Sequence, residues 1–174
     1  MMEKRTILFV DDEANVLNAL RRTLRKEPYE IFLAQSAEEA LDILRENEID
    51  LVVSDHLMPG MDGLTFLKKV REMYPTALRV ILTGHADLQM AIEAINEGEV
   101  FRFLTKPWMD VELKMMLKHI FDFIDLRKEN QVLLDTLRKQ QHFIEKMEEQ
   151  HPGIFSVERD ERGFIVIDEE KLLD

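Results

Sequence analysis

Leu51-Val52-Val53-Ser54-Asp55-His56-Leu57-Met58-Pro59-Gly60-Met61-Asp62-Gly63 is the stretch that decides the fold. Its opening run is short and uncharged, the pattern of a strand with both faces covered. It ends on Asp55 and then breaks into a loop punctuated by proline and glycine. Three other apolar runs end in the same manner. Ile7-Leu8-Phe9-Val10 ends in Asp11-Asp12-Glu13, Val80-Ile81-Leu82 ends in Thr83-Gly84, and the run from Val100 to Leu104 ends in Thr105-Lys106-Pro107. With a further strand over residues 30–34, the chain reads as strands at 6–10, 30–34, 50–54, 79–83 and 100–104. Helical spacing separates them, over residues 15–26, 37–47, 64–73 and 88–96. A strict β-α repeat builds an α/β fold with a parallel, doubly wound sheet. Open sheets of this kind place their sites beyond the carboxyl ends of the strands, so two acids, a hydroxyl and an amine converge there. Clustered carboxylates repel one another and invite a divalent cation. A cation, a lysine and a hydroxyl beside a carboxylate make a site for putting phosphate on that carboxylate.

The boundaries have chemical reasons. In the first helix Val16, Leu17, Leu20 and Leu24 repeat at helical spacing and Pro28 closes the segment. Ser36 followed by Glu39 reads as a capping box. Gly98 is a stop signal for the helix before it, and Arg102 weakens the fifth strand. From Met109 the pattern changes, with no turn signal until Pro152-Gly153. Phe123, Leu126, Asn130, Leu133, Leu137, Gln140, Ile144 and Met147 alternate steps of three and four, the seam of a coiled coil. A buried Asn130 would fix register and favour two strands. The organisation expected is a domain over 1–125, a coiled-coil extension over 126–151 and a short tail over 152–174. Within the tail, residues 154–168 read as a β-hairpin turning near Gly163, and 169–174 as an acidic end.

The 174 residues carry a formal net charge of -12. Residues 1–125 hold 15 Lys and Arg against 23 Asp and Glu, and residues 126–174 hold 8 against 12. No basic face is evident, which disfavours nucleic acid as a partner. There is no cysteine, which excludes disulfides and thiolate metal sites. No run is long enough for a membrane span or the apolar core of a signal peptide. A cytoplasmic protein is expected.

Residues 5–125 closely resemble the receiver domain of two-component response regulators. The resemblance rests on Asp11-Asp12, on Asp55 with Pro59 and Gly63, on Thr83-Gly84 and on Lys106-Pro107, in that order. It implies a flavodoxin-like five-stranded parallel sheet in the order 2-1-3-4-5. It implies that Asp55 is the phosphoacceptor, taking a phosphoryl group from a histidine of a sensor histidine kinase or from acetyl phosphate. Asp12, Asp55 and the backbone carbonyl of Leu57 would bind Mg2+, with Asp11 contacting a metal-bound water. Lys106 would pair with the phosphoryl oxygens, and the Thr83 hydroxyl and Gly84 N–H would donate to them. Phe103, rather than Phe101, would be the aromatic that turns inward on switching. A narrower likeness runs through Leu82-Thr83-Gly84-His85-Ala86-Asp87 and Phe103-Leu104-Thr105-Lys106-Pro107-Trp108. It points to receivers joined to cyclic-di-GMP phosphodiesterase domains or found in hydrogenase-type transcription regulators.

Each residue also has a plainer reading. Asp11-Asp12-Glu13 alone would be a helix-capping turn, Thr83-Gly84 an ordinary turn and Phe101 and Phe103 core residues. These readings do not account for four polar strand ends in one order. The leading reading is a non-enzymatic switch and adaptor that acts through protein contacts and forms a homodimer through residues 123–147. A regulatory piece of a longer phosphodiesterase or transcription factor is the alternative, and the tail hairpin, read as a finished end, favours the adaptor. A Mg2+-dependent aspartyl-phosphate hydrolase is disfavoured, because such enzymes need a second acid at the position held by Leu57. No glycine loop for a nucleotide follows the first strand.

Overall fold

A computed structural model describes residues 5–152. The expected hairpin over 154–168 and the acidic end lie outside the described residues. Five parallel strands form one sheet in the order β2-β1-β3-β4-β5. They are β1 (Arg5–Val10), β2 (Tyr29–Ala34), β3 (Leu51–Asp55), β4 (Leu78–Thr83) and β5 (Arg102–Thr105). The helices between and after them are α1 (Ala14–Thr23), α2 (Ala37–Glu46), α3 (Gly63–Met73), α4 (Leu88–Asn96) and α5 (Asp110–Gln150). The parallel, doubly wound sheet expected from the β-α repeat is present, in the flavodoxin-like order that the resemblance implies.

Strand parity sorts the core into two halves. Ile7 and Phe9 of β1, Leu51 and Val53 of β3, and Val80 and Leu82 of β4 pack with Leu17 and Leu20 of α1 and with Leu113, Leu117 and Phe121 of α5. Their neighbours Leu8, Val10, Val52 and Ile81 pack on the opposite face with α2, α3 and α4 through Ala40, Leu44, Phe66, Leu67 and Ala91. Alternate residues of a strand face opposite sides, so runs apolar at every position are needed to feed both halves. Each fully buried Leu or Phe contributes about 1.5–3 kcal/mol from burial.

Several boundaries differ from the sequence reading. The first helix stops at Thr23 rather than near Lys26. Leu24 N still reaches Leu20 O, but Arg25 N and Glu27 N donate three residues back, to Arg22 O and Leu24 O. The chain tightens ahead of Pro28, because a residue before proline avoids the α region. β5 begins at Arg102, not Val100. Gly98 takes φ 72°, and the N–H groups of Gly98 and Glu99 close the end of α4 on Ile95 O and Ala94 O, a Schellman arrangement. Val100 N is held on the same Ala94 carbonyl, at 3.3 Å, so ladder pairing starts only beyond it. At α2 the Ser36 hydroxyl accepts from Glu39 N, but the Glu39 carboxylate accepts from Gln35 N at 2.7 Å instead of from Ser36. The box expected at Ser36 is therefore shifted by one residue on its return arm.

The chain divides into two compact units between Ile124 and Asp125. In the second unit Leu126, Leu133, Leu137 and Ile144 are each at least half exposed, and Asn130 turns its amide back on Leu126 O at 3.0 Å. Phe123, the first position of the expected seam, lies in the first unit and stacks on Phe101 with ring centroids 4.9 Å apart. Among the described residues no helix is long and apolar enough to cross a membrane.

α3 carries a strong N-cap that the sequence reading did not single out. Asp62 Oδ1 accepts from Thr65 N at 2.9 Å, and Thr65 Oγ1 donates to Asp62 Oδ2 at 2.6 Å. Burial pushes the Asp62 carboxyl upward, but the Thr65 hydrogen bonds outweigh it and hold the group below its ordinary value. A carboxyl held low in the folded state stabilises the fold above its unfolded pKa, and that stability is lost as pH falls through the folded value. Asp62→Ala is expected to cost about 1 kcal/mol at neutral pH. Urea denaturation should show this deficit shrinking below the ordinary carboxylate range.

Candidate functional site

The parallel register brings the polar strand ends into one row. Val10 pairs with Ser54, Asp55 with Leu82, and Thr83 with Thr105. Each of these strands stops at about the same level, so Asp11, Asp55, Thr83 and Lys106 meet at the carboxyl edge of the sheet. Asp11 N still donates to Ala34 O at 3.1 Å, continuing the β1–β2 ladder one residue further. Lys106 N donates to Thr83 O at 2.8 Å, which seats the lysine backbone beside β4.

The side chains complete the arrangement. Lys106 Nζ lies 2.6 Å from Asp11 Oδ2 and 2.7 Å from Asp55 Oδ1. Asp11 is fully buried and Asp55 nearly so, while Asp12 is exposed. Asp11 Oδ1 also accepts from Glu13 N at 2.9 Å, which closes the turn into α1. Carboxylate oxygens of Asp11, Asp12 and Asp55 all lie within 4.8 Å of one another.

One ammonium is shared between two buried carboxylates, with a third beside them. Burial pushes the Asp55 carboxyl above its ordinary value, the Lys106 hydrogen bond and charge oppose this, and the Asp11 charge adds to the rise. Burial alone would lower the Lys106 ammonium, but its hydrogen bonds to Asp11 and Asp55 and their charges hold it above its ordinary value. The Asp55 shift is chiefly the effect of burial, whereas the Lys106 shift comes from the two carboxylates it serves. Three carboxylates against one ammonium leave two negative charges, all on oxygen. A hard divalent cation such as Mg2+ suits an oxygen donor set of this charge.

The loop after β3 is fixed by close backbone contact. His56 N donates to Leu82 O at 2.9 Å, and Gly63 N returns to His56 O at 2.8 Å. A Cβ at Gly63 would stand 1.8 Å from Asp55 O and 3.1 Å from His56 Cα. Only glycine lets α3 begin against the backbone of Asp55. At Gly84, by contrast, an added Cβ would meet nothing within 4 Å. Thr83 is fully buried, with its hydroxyl 3.3 Å from Gly84 O. Leu57 is 65% exposed at the mouth of the loop. Phe103 packs partly buried in the half of the core formed with α2 to α4, and Phe101 packs in the other half. Sequence reasoning missed the direct Asp11–Lys106 contact and the role of Gly63. The first has no signature in sequence. The second had one, a glycine closing the loop that Asp55 opens.

The family model for the response regulator receiver domain matches residues 7–118. The hydrogenase transcriptional regulatory protein HoxA of Cupriavidus necator is 38% identical over 104 residues, 60% of this chain and 21% of that protein. The DNA-binding transcriptional regulator NtrC of Proteus hauseri is 32% identical over 130 residues, 74% of this chain and 27% of that protein. The chain therefore spans about a quarter of the length of these curated relatives. The signal receiver domain of an HD domain-containing protein from Pseudomonas fluorescens Pf-5 has a TM-score of 0.69 at 38% identity, covering 74% of this chain and 95% of that one. The chain belongs to the response regulator receiver domain family, whose members are signalling modules phosphorylated by sensor histidine kinases.

Gly63→Ala tests how far the loop geometry governs the site. The substitution is expected to destabilise the domain by about 3 kcal/mol, the upper range for overpacking. Urea denaturation measures the loss; an unchanged midpoint would mean that the loop yields freely and does not position Asp55.

Proposed function

We propose that this receiver is a switch that accepts a phosphoryl group on Asp55 from a sensor histidine kinase and signals through protein contacts and a homodimer. The observation that carries the reading is the Lys106 ammonium, 2.6 Å from Asp11 and 2.7 Å from Asp55, with the Asp12 carboxylate alongside. Asp12, Asp55 and the Leu57 carbonyl would hold Mg2+, with Asp11 on a metal-bound water. Bound there, the ion would offset charge on the phosphoryl oxygens.

The rest is the work of the chain's own groups. A carboxylate oxygen of Asp55 forms the new P–O bond as the P–N bond to the kinase histidine breaks, and the released imidazole takes up a proton. Lys106 exchanges its contact with Asp55 for a phosphoryl oxygen, while Asp11 keeps the ammonium in place. Neutralising and positioning charge is most of what phosphoryl transfer needs. The Thr83 hydroxyl and Gly84 N–H donate to the same oxygens. The present Thr83 contact with Gly84 O is long for a hydroxyl bond, at 3.3 Å, so little is lost when it lets go. Thr83 then moves toward the phosphate and Phe103 turns into the space. This alters the surface made by α4, β5 and the start of α5, where Met109, Val111 and Met115 are more than half exposed.

The seam on α5 supports a dimer. From Leu126 to Ile144 its apolar residues are exposed, and burying such a stripe against a second copy is the usual remedy. The length of the curated relatives favours a second reading, in which the same switch governs an output domain of a longer regulator.

Asp55→Asn is expected to abolish labelling by acetyl phosphate in the presence of Mg2+, read by phosphate-affinity electrophoresis and mass spectrometry. Labelling retained at another residue would end the phosphoacceptor assignment. Leu133→Glu combined with Leu137→Glu is expected to convert a dimer into a monomer in sedimentation of the full chain. A wild-type chain that sediments as a monomer would remove the dimer from the proposal.

A further inference from the structure

α1 contains no acidic residue, and its exposed stripe is basic. Asn18, Arg21 and Arg22 stand at i, i+3 and i+4 of α1 and share one face; Arg25 follows just past the helix, and all four are exposed. Together they line a groove of about 390 Å³ whose other wall is the edge strand β2. Its floor is apolar, with Leu24 buried and Tyr29 and Ile31 partly so.

Among the described residues none of the three arginines has an ion-pair partner. Two acids of adjoining segments are engaged elsewhere. Glu27 pairs with Lys114 at 3.1 Å, and Asp110 accepts from Thr23 at 3.0 Å. Basic residues in the last turn of a helix do favour its carbonyl end. That effect does not extend to Arg25, which lies beyond the helix. It is also opposed by the mutual repulsion of the like charges that line the groove. Arg21 and Arg22 thus gain from the helix end, but none of the three guanidinium groups has a carboxylate partner among the described residues, and all three stay open to an anion from outside.

We propose that this groove between α1 and β2 is a docking surface for an acidic polypeptide segment that carries an apolar anchor. Arginine presents a planar fork that matches a carboxylate in two-point fashion, and arginine is enriched at the energetic centres of protein interfaces. The apolar floor suits a side chain and offers nothing to a phosphate backbone. The net charge of -12 on the whole chain repels an extended polyanion but leaves a local contact attractive within the Debye length of ~8–10 Å. A groove near the lower end of the ~300–1,000 Å³ range of ligand pockets seats one or two anchoring side chains. The inference is independent of the phosphorylation reading, since it uses none of the residues at the carboxyl edge.

The test uses the full chain and a fluorescein-labelled helical peptide built from Glu and Leu, read by fluorescence anisotropy. The triple variant Arg21→Gln, Arg22→Gln, Arg25→Gln is expected to bind it roughly tenfold more weakly. A second variant set, Arg21→Glu, Arg22→Glu, Arg25→Glu, is expected to bind the matching Lys and Leu peptide instead, a rescue that a misfolded protein would not give. The inference is overturned if the peptide does not bind or the Gln triple binds it unchanged. It is equally overturned if a Gln and Leu peptide binds as well, or if oligo-dT or phosphatidylserine vesicles bind in preference.

Discussion

A single ammonium shared by two buried carboxylates is the constraint around which this domain is arranged. Asp11 comes from the end of β1, Asp55 from the end of β3 and Lys106 from the end of β5, and the lysine reaches both acids within 2.7 Å. Taking these charges out of water is costly, and removing either partner would leave the other stranded. The contact can form only if three strands end at one level, so it demands the parallel register of the sheet. The apolar runs supply that register by filling a core on each face. The site is thus a product of two cores that have no polar residue in common with it.

The backbone of Asp55 is closely packed as well. Its carbonyl accepts from the Ser54 hydroxyl at 2.9 Å and leaves no room for a side chain at Gly63. The loop that Asp55 opens is therefore closed by the residue that starts α3, and the Asp62 cap locks the helix in place. On the other side of the site the two aromatics of the β5 region diverge. Phe103 enters the core half of α2 to α4, whereas Phe101 stacks on Phe123 of α5. A change at Phe103 and a change at Phe101 would thus be felt by different helices.

Most of this architecture was legible because apolar runs that end in polar residues mark both a strand and its site end. α4 matched its expected span because Gly98 is an unambiguous terminator. The start of β5 was not legible, since Val100 is as buried as a strand residue but its N–H is held by the end of α4. The spacing of Ser36 and Glu39 marks a cap, yet which N–H the Glu39 carboxylate accepts from depends on the entry angle of the chain, which no spacing encodes. The Lys106–Asp11 contact spans 95 residues and follows only from the closed sheet. The basic stripe on α1 is hidden in the sequence because the many acids elsewhere in residues 1–125 turn a local excess into a negative total. Phe123 fitted the seam by spacing, but the same spacing puts it over Phe101.

Asp11 and Asp12 show how little identity alone says about role. They are adjacent and chemically equal, yet one is fully buried and the other exposed. Asp11 still pairs with Ala34 as an extension of β1, so strand parity turns its side chain inward, where the lysine and Glu13 N occupy its two oxygens. Asp12 falls on the next residue and is turned out. In the proposed chemistry this separates two duties that one acid could not perform together. A carboxylate that anchors the lysine must remain in place while Asp55 changes charge, and one that binds a cation must keep access to solvent so that the ion can enter with its waters. Exchanging the two environments would require shifting the end of β1 by one residue, which would also reverse the faces presented by Ile7, Leu8, Phe9 and Val10. The division of labour between the two acids is therefore tied to the register of the whole sheet.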